Sequence, residues 1–235
     1  MRIYFAAAWL MMVAACASAA PNPLAQGGAA TPAASAPASA ADGWKELVDL
    51  DHPPTLPTIA EHDKILDKLV GPHRHDRKEC TADGPKTVAT LQGGLAGTFT
   101  APGAKQLAYI VTTVGCQDPV DRDTDKHRLV IMEGDKVVLD KEITEHTLVA
   151  VSDLDADGDN ELLALSGKNA DATGTISARL LDTEGGELQV LFDFGEVART
   201  RCAGGKGTLQ SARIVYRIQG TSMEYRAQKR EKPCP

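Results

Sequence analysis

The central stretch of the chain is Val151-Ser152-Asp153-Leu154-Asp155-Ala156-Asp157-Gly158-Asp159-Asn160-Glu161-Leu162. Five carboxylates fall within nine positions: Asp153, Asp155, Asp157, Asp159 and Glu161. Charges of one sign at this density repel one another unless a cation lies among the oxygens. Acids at loop positions 1, 3 and 5, a glycine at 6, a backbone carbonyl at 7 and an acid at 9 form an oxygen cage of the Ca²⁺ type. A solvated acidic turn is the alternative. We favour calcium because Gly158 stands where the loop turns sharply.

The residues around this loop exclude an EF-hand. An EF-hand needs a bidentate acid at loop position 12, and that position is Ala164. Residues 147–151 before the loop and 162–165 after it are rich in Val and Leu, which predicts a strand on each side. The sequence therefore predicts a strand-loop-strand calcium site.

The start of the chain predicts export. Arg2 precedes an apolar run, and residues 1–15 have the pattern of a signal peptide. The run ends in Val13-Ala14-Ala15-Cys16, which resembles a bacterial lipobox with Cys16 as the lipidated first residue of the mature protein. The small residues at 17–19 instead resemble an ordinary cleavage site, which would leave a soluble periplasmic or secreted protein.

The next segment favours the lipid anchor. Residues 16–41 consist almost entirely of Ala, Pro, Ser, Gly and Thr, a composition typical of a flexible tether. A tether directly after a lipobox suits an anchored protein of the bacterial envelope. Residues 42–235 are then expected to form a single β-rich domain.

The cysteines agree with export. Apart from Cys16, the chain contains Cys80, Cys116, Cys202 and Cys234, an even set suited to two disulfides in an oxidising compartment. Cys202 and Cys234 lie at the open ends of a hairpin predicted over residues 207–227, which favours the pair Cys202–Cys234 and leaves Cys80–Cys116. Four cysteines allow three pairings, so this is a preference among three.

Charge and hydropathy limit the partners. The net charge of −7 argues against nucleic acid and against an anionic membrane surface. No segment after the signal contains the roughly 18 consecutive apolar residues of a membrane span. Contact with a membrane is therefore expected only through the lipid anchor.

One short helix is predicted near the start of the domain. Thr58 and Glu61 form a capping box at its beginning, and Gly71 followed by Pro72 ends it. His73 and His75 follow directly. Imidazoles suit Zn or Ni, but two histidines without a Cys or a third placed ligand are a weak signal, and a polar loop is favoured.

The calcium loop has an acid-free counterpart earlier in the chain. Residues 98–107 align with residues 153–162 without gaps, at an offset of 55 (153 − 98). The following hairpins, from Arg128 and from Arg179, align at an offset of 51 (179 − 128). Two related units at about 95–140 and 148–195 follow from this, with chance similarity as the alternative. The first loop carries Thr98, Thr100, Pro102 and Gln106 at the ligand positions and is expected to be metal-free.

The loop and its strands resemble the FG-GAP or VCBS-type repeats of integrin-like β-propellers. By this resemblance Asp153, Asp155 and Asp157 are side-chain ligands of Ca²⁺, Asp159 supplies a backbone carbonyl, and Glu161 stands where Asp is usual. The family closes a ring of about seven blades, whereas this chain has two visible units and length for three or four. The resemblance therefore implies a mostly β fold of propeller-blade-like antiparallel units, open or sandwich-like.

Two classes of function remain open. The first is a non-catalytic envelope lipoprotein, a binding or surface-organising module with a protein or glycan partner, because the sequence contains no G-x-S-x-G, H-E-x-x-H or phosphate-loop motif. The second is a calcium-dependent hydrolase. Its acid and base groups would come from a segment that otherwise has the pattern of a solvated loop, at Asp118, Asp121, Asp123, Asp125 and His127. An inhibitor of other enzymes is a third class, which nothing in the sequence distinguishes.

Overall fold

The structure is a computed structural model, which describes residues 43–53, 55, 59, 61–118, 125–150, 153–169, 173–203 and 206–234. The predicted signal peptide, Cys16 and the tether lie outside these ranges, so their predictions stay predictions. Within the described ranges, no helix is both long and apolar enough to cross a membrane.

The described part of the chain is mostly β, as predicted, with one α-helix. In chain order the elements are β1 Lys45–Asp49, α1 His62–Val70, β2 Thr87–Gly97, β3 Gln106–Gly115, β4 Lys126–Glu133, β5 Lys136–Ile143, β6 Thr147–Ala150, β7 Leu162–Asn169, β8 Thr173–Asp182, β9 Gln189–Ala203, β10 Lys206–Gln219 and β11 Ser222–Pro233. Short 3-10 helices lie at Arg77–Glu79 and Glu184–Gly186.

The strands form two antiparallel sheets. The first sheet is a meander in the order β2-β3-β4-β5. The second has the order β1-β10-β9-β8-β7-β6, and β11 pairs with the other edge of β10. Within the second sheet, β6 to β9 repeat the up-and-down order of β2 to β5. The two loops aligned in the sequence join equivalent strands, since one connects β2 to β3 and the other connects β6 to β7.

Side-chain alternation along the strands separates three cores. On β7, Leu162 and Ala164 face the core shared by the two sheets, whereas Leu163 and Leu165 face a core inside the second sheet. The shared core contains the fully buried Phe99. A third core lies where α1 covers the outer face of the first sheet. Because successive side chains of a strand point to opposite faces, strands rich in Val, Leu and Ile serve two cores at once.

The second sheet is strongly curled, and β9 supplies the cause. Its pairing with β8 shifts register at three places, so that Leu191, Phe194 and Val197 are extra residues with no partner on β8. Each bulge bends the strand and increases its twist. The curled sheet wraps around its own core, which includes Val48 from β1 and Ile214 from β10.

The helix is shorter than predicted. It begins at His62, not at Thr58, because Glu61 has a left-handed backbone with φ of 55° that a helix cannot include. Thr58 lies outside the described residues. The helix ends at Gly71 as predicted: its φ is 72°, and its N–H donates to the carbonyl of Asp67 at 2.8 Å.

Two disulfides connect the chain in the predicted pairing, Cys80–Cys116 and Cys202–Cys234. The second joins Cys202 near the end of β9 to Cys234 just after β11, and Cys234 also donates its N–H to the carbonyl of Gly207 on the intervening β10. Disulfides persist in oxidising compartments, so the domain belongs to a non-reducing, extracytoplasmic environment.

Candidate metal centre

The loop between β6 and β7 is organised by its own aspartates. The carboxylate of Asp153 accepts hydrogen bonds from the N–H groups of Ala156 and Gly158 at 2.6 and 3.1 Å. Asp155 accepts one from the N–H of Asp157 at 3.3 Å. Asx turns of this kind are formed by Asp side chains because the carboxylate reaches the backbone two or three residues further on. The aspartate side chains therefore fix the turn of the loop by hydrogen bonds to its backbone, independently of any ion.

Three of the five predicted ligands come together. Oxygen atoms of Asp153, Asp155 and Glu161 all lie within 4.8 Å of one another. Calcium binds oxygen at 2.3–2.6 Å, so two ligands on opposite sides of the ion are about 5 Å apart. The three oxygen atoms are thus far enough apart to surround Ca²⁺, and oxygen ligands are those that a hard cation prefers.

The acid at position 9 is the buried member of the trio. Glu161 is only 3% exposed, and one of its oxygens accepts the N–H of Leu154 at 2.9 Å. Burial raises the pKa of Glu161 to about 7, and the charges of Asp155 and Asp153 act in the same direction. A cation beside Glu161 would offset both effects, since it attracts the ionised form.

The acid-free loop has a hydrogen bond where the acidic loop has facing carboxylates. Gln106, aligned with Glu161, is also 3% exposed, and its Oε1 accepts the N–H of Phe99 at 2.9 Å. Phe99 aligns with Leu154, so the same hydrogen bond occurs in both loops. The amide Nε2 of Gln106 then donates to Oγ1 of Thr100 at 2.7 Å. Thr100 aligns with Asp155, so an N–H···O bond in the first loop stands where two carboxylates face each other in the second.

Asp157 and Asp159 lie outside the trio. Asp157 accepts the N–H of Asp159 at 3.0 Å. The side chain of Asp159 is buried, and its Oδ2 has no hydrogen-bond partner within the described part of the chain. Burial, followed by Asp157 and by the charges of Asp182 and Glu184, raises the pKa of Asp159 to about 7. The predicted roles of Asp157 as a side-chain ligand and of Asp159 as a carbonyl ligand stay predictions.

The two loops bind each other directly. The N–H of Asn160 donates to the carbonyl of Thr98 at 2.5 Å, and Oδ1 of Asn160 accepts the N–H of Thr98 at 2.9 Å. Gly158 has a φ of 101°, and a side chain there would also meet Pro102 of the other loop at 3.0 Å. Gly158 is therefore needed for its backbone conformation, as predicted, and for the close approach of the two loops.

Sequence reasoning missed Ala156 and Asn160. Ala156 has a left-handed backbone with φ of 67°, which is unusual for a residue with a Cβ. Asn160 has the position of a spacer between two acids in the sequence, but its contact with Thr98 joins the loops. The gapless alignment of the loops was the one available signal, since equivalent turns of a repeat are candidates for contact.

The residues of the hydrolase interpretation are only partly described. Asp121 and Asp123 lie outside the described residues. Asp118 accepts the N–H of Gly115 at 2.6 Å, a local turn contact. Asp125 and His127 line a cleft of about 390 Å³ between the ends of β4, β5 and β7, together with Lys126, Glu142, Ile143, Thr144, His146, Ser166 and Gly167. The cleft brings Asp125 and His127 to one surface, and the hydrolase stays a prediction.

The chain matches no protein-family model, no curated protein and no solved structure among those compared with it. The fold and the site define a disulfide-bonded, mostly β protein with a cluster of carboxylates at the contact between two related loops.

The buried carboxyls predict a pH dependence in the metal-free protein. The pKa of Glu161 is about 7 in the folded chain and 4.5 for an ordinary Glu, so the unfolded chain ionises first as pH rises. Stability linked to Glu161 is therefore full below pH 4.5 and is lost as pH rises through about 7. In the presence of chelator, Glu161→Gln should not lose this stability as pH rises. The melting temperature of Glu161→Gln minus that of the wild type should therefore increase from pH 4.5 to pH 7.

Asp135→Asn is the control for this comparison, because the Asp135 side chain is 95% exposed. Its melting temperature should run parallel to that of the wild type. A constant difference between wild type and Glu161→Gln from pH 4.5 to pH 7 would contradict the prediction.

Proposed function

We propose that the protein is a lipid-anchored binding module of the bacterial envelope whose β domain is stabilised by Ca²⁺ at Asp153, Asp155 and Glu161. The observation that carries the calcium is the pair of equivalent loops. Where the first places the amide of Gln106 against Thr100, the second places the carboxylate of Glu161 near Asp155. In the first loop the amide N–H of Gln106 satisfies the oxygen of Thr100. The ionised Glu161 has no such N–H, and a divalent cation would supply the positive charge that its carboxylate needs.

Calcium at this place has a structural role. The loop is fixed at both ends by strands and pairs with the first loop through Asn160 and Thr98. An ion held there would stabilise the acidic loop, which in turn pairs with the loop of the first sheet. The interpretation as FG-GAP-like blades is part of the same proposal, and it rests on the ligand spacing and on the matching strand order of the two units.

The compartment supports this ion. Extracellular modules bind calcium with dissociation constants of about 10⁻⁴–10⁻³ M, which suits an extracytoplasmic protein. The two disulfides place the domain in such an environment. The lipobox at Cys16 and the tether after it would keep the domain at a membrane surface.

A binding role is favoured by one exposed apolar strip. Val190, Leu191 and Phe192 are consecutive on β9, with exposed fractions of 53%, 37% and 37%. The rings of Phe192 and the partly buried Tyr225 of β11 lie 5.2 Å apart. Large apolar side chains exposed together on one stretch of strand are a candidate site of protein interaction. We assign the partner-binding surface to this strip and the partner to the class of proteins.

Calcium should raise the melting temperature of the wild type. At about ten times its dissociation constant the ion adds roughly 1.4 kcal/mol, a shift of a few degrees for a domain of this size. Asp155→Asn should abolish the shift. Thr100→Val is the matched control: it breaks the bond to Gln106 in the other loop, so it should lower the melting temperature equally with calcium and with chelator. Calorimetric melts of the three proteins decide the matter, and identical wild-type melts would leave only a solvated acidic turn.

The lipid anchor is tested by Cys16→Ser. The wild type should partition into the detergent phase of a cell extract, and the variant should move to the soluble periplasmic fraction because it lacks the acylated residue. Equal partitioning of the two proteins would exclude Cys16 as the anchor.

The binding surface is tested by photo-crosslinking in intact cells. A photoreactive residue at Leu191 should give a discrete protein adduct that Phe192→Ser diminishes, because both side chains belong to the same strip. A photoreactive residue at Glu231, exposed on the charged end of β11, is the control and should give none. The same adduct from both positions, or no protein adduct from Leu191, would remove the assignment.

A further inference from the structure

Three histidines gather beside α1. His62 begins the helix, and the chain after the helix folds back along it with His73 and His75. The rings of His73 and His75 lie 5.0 Å apart, edge to face, and those of His62 and His75 lie 6.3 Å apart. Two histidines close in sequence thus acquire the third partner that the sequence pattern lacked.

The returning segment is held in place by Arg74. Its N–H donates to the carbonyl of Thr87, and its own carbonyl accepts the N–H of Ala89, both at 2.8 Å. This bridge attaches the segment to β2. Because successive residues of an extended segment point to opposite sides, His73 and His75 share one side, and both lie close to residues of the helix.

Aspartates of the helix contact all three rings. Oδ1 of Asp63 lies 2.9 Å from Nδ1 of His62 and 3.9 Å from Nε2 of His75. One turn later, Oδ1 of Asp67 lies 3.2 Å from Nδ1 of His73. Residues four apart lie on the same face of a helix, so both carboxylates face the returning segment.

His73 has the hydrogen bonding of a metal ligand. Its side chain is 3% exposed, and Nδ1 lies 3.0 Å from the carbonyl of Gly71 as well as near Asp67. A carbonyl only accepts, so Nδ1 is the donor, and in the neutral imidazole Nε2 then offers a lone pair. That Nε2 is buried and has no hydrogen-bond partner among the described residues. Metal-binding histidines commonly donate their second nitrogen to a carbonyl or carboxylate in this way.

The spacing of two of the three rings suits one shared ion. Zinc binds imidazole nitrogen at about 2.0–2.1 Å in tetrahedral geometry, which places two ligand rings roughly 5 Å apart. His73 and His75 already meet this distance. His62 is 1.3 Å further from His75 (6.3 − 5.0). The side chains of His62 and His75 are 35% and 52% exposed, so both rings have room to rotate inward.

We propose that His62, His73, His75 and Asp63 form a binding site for a zinc-type transition-metal ion. Asp67 and the carbonyl of Gly71 orient His73 through its Nδ1. The donor set of three imidazoles and one carboxylate suits Zn²⁺ and excludes Ca²⁺, which takes oxygen ligands. The site is independent of the acidic loop in residues and in chemistry. Its exposed side leaves the ion open to exchange with the surroundings, which suits acquisition or transfer of the metal.

The test uses Zn²⁺ itself on the full-length, untagged protein stripped with chelator, followed by titration calorimetry. The wild type should bind one Zn²⁺ at this site. His62→Gln and His75→Gln, both at exposed positions, should each weaken binding at least about tenfold, and Asp67→Asn should weaken it about tenfold through His73. His52→Gln is the control, because its side chain is 85% exposed and lies elsewhere; it should bind as the wild type does.

Two further measurements distinguish this site from zinc binding elsewhere on the chain. Asp155→Asn should leave Zn²⁺ affinity unchanged, since the acidic loop is not involved. Long-range nitrogen NMR of the imidazoles should show Zn²⁺ shifting Nε2 of His73 and not Nδ1. Unchanged affinity in both His62→Gln and His75→Gln, loss of binding in Asp155→Asn, or an unshifted His73 Nε2 would each overturn the proposal.

Discussion

The contact between Thr98 and Asn160 is the interaction on which the arrangement of the acidic loop depends. It pairs the backbone of one loop with the backbone and side chain of its counterpart. The loops belong to different sheets, so this contact supplements the apolar core that the sheets share. It also fixes Gly158 and Glu161 on either side of Asn160, and thereby sets where the carboxylates converge. Substituting Asn160 would therefore disturb the contact between the loops and the carboxylate cluster together.

The two loops bury a polar side chain at equivalent positions, and they differ in how that side chain is satisfied. Each buries a side chain where its second strand begins, at Gln106 as the first residue of β3 and at Glu161 just before β7, and each side chain accepts the equivalent backbone N–H. Gln106 is neutral, and its amide donates to Thr100, so its polar atoms are satisfied within the loop. Glu161 has no proton to donate when ionised, and a buried unpaired carboxylate is costly. The ionised loop therefore carries a buried charge without a compensating partner, whereas its counterpart satisfies its polar atoms internally.

Local patterns in the sequence predicted much of the fold but not its long-range contacts. Alternating apolar residues indicated the strands, and Gly71 indicated the end of the helix. The hairpin pattern between Cys202 and Cys234 indicated their pairing. The predicted beginning of the helix was wrong because Glu61 has a left-handed backbone, which the sequence pattern does not reveal. The bulges of β9 and the approach of His62 to His75 arise from tertiary packing, which periodicity does not encode.

The two proposed metal sites should differ in what their ions stabilise, because they lie in different parts of the structure. The acidic loop lies at the seam of two sheets, beside the buried Leu154 and Leu162. Opening it exposes parts of the central cores, so an ion there is linked to global unfolding. The histidine cluster holds one short helix and a returning segment against the outer face of the first sheet. That unit has fewer buried apolar partners and can open while the sheets stay folded. Calcium would therefore stabilise the whole domain. A zinc-type ion would instead keep one surface element, the helix with its returning segment, in an ordered conformation.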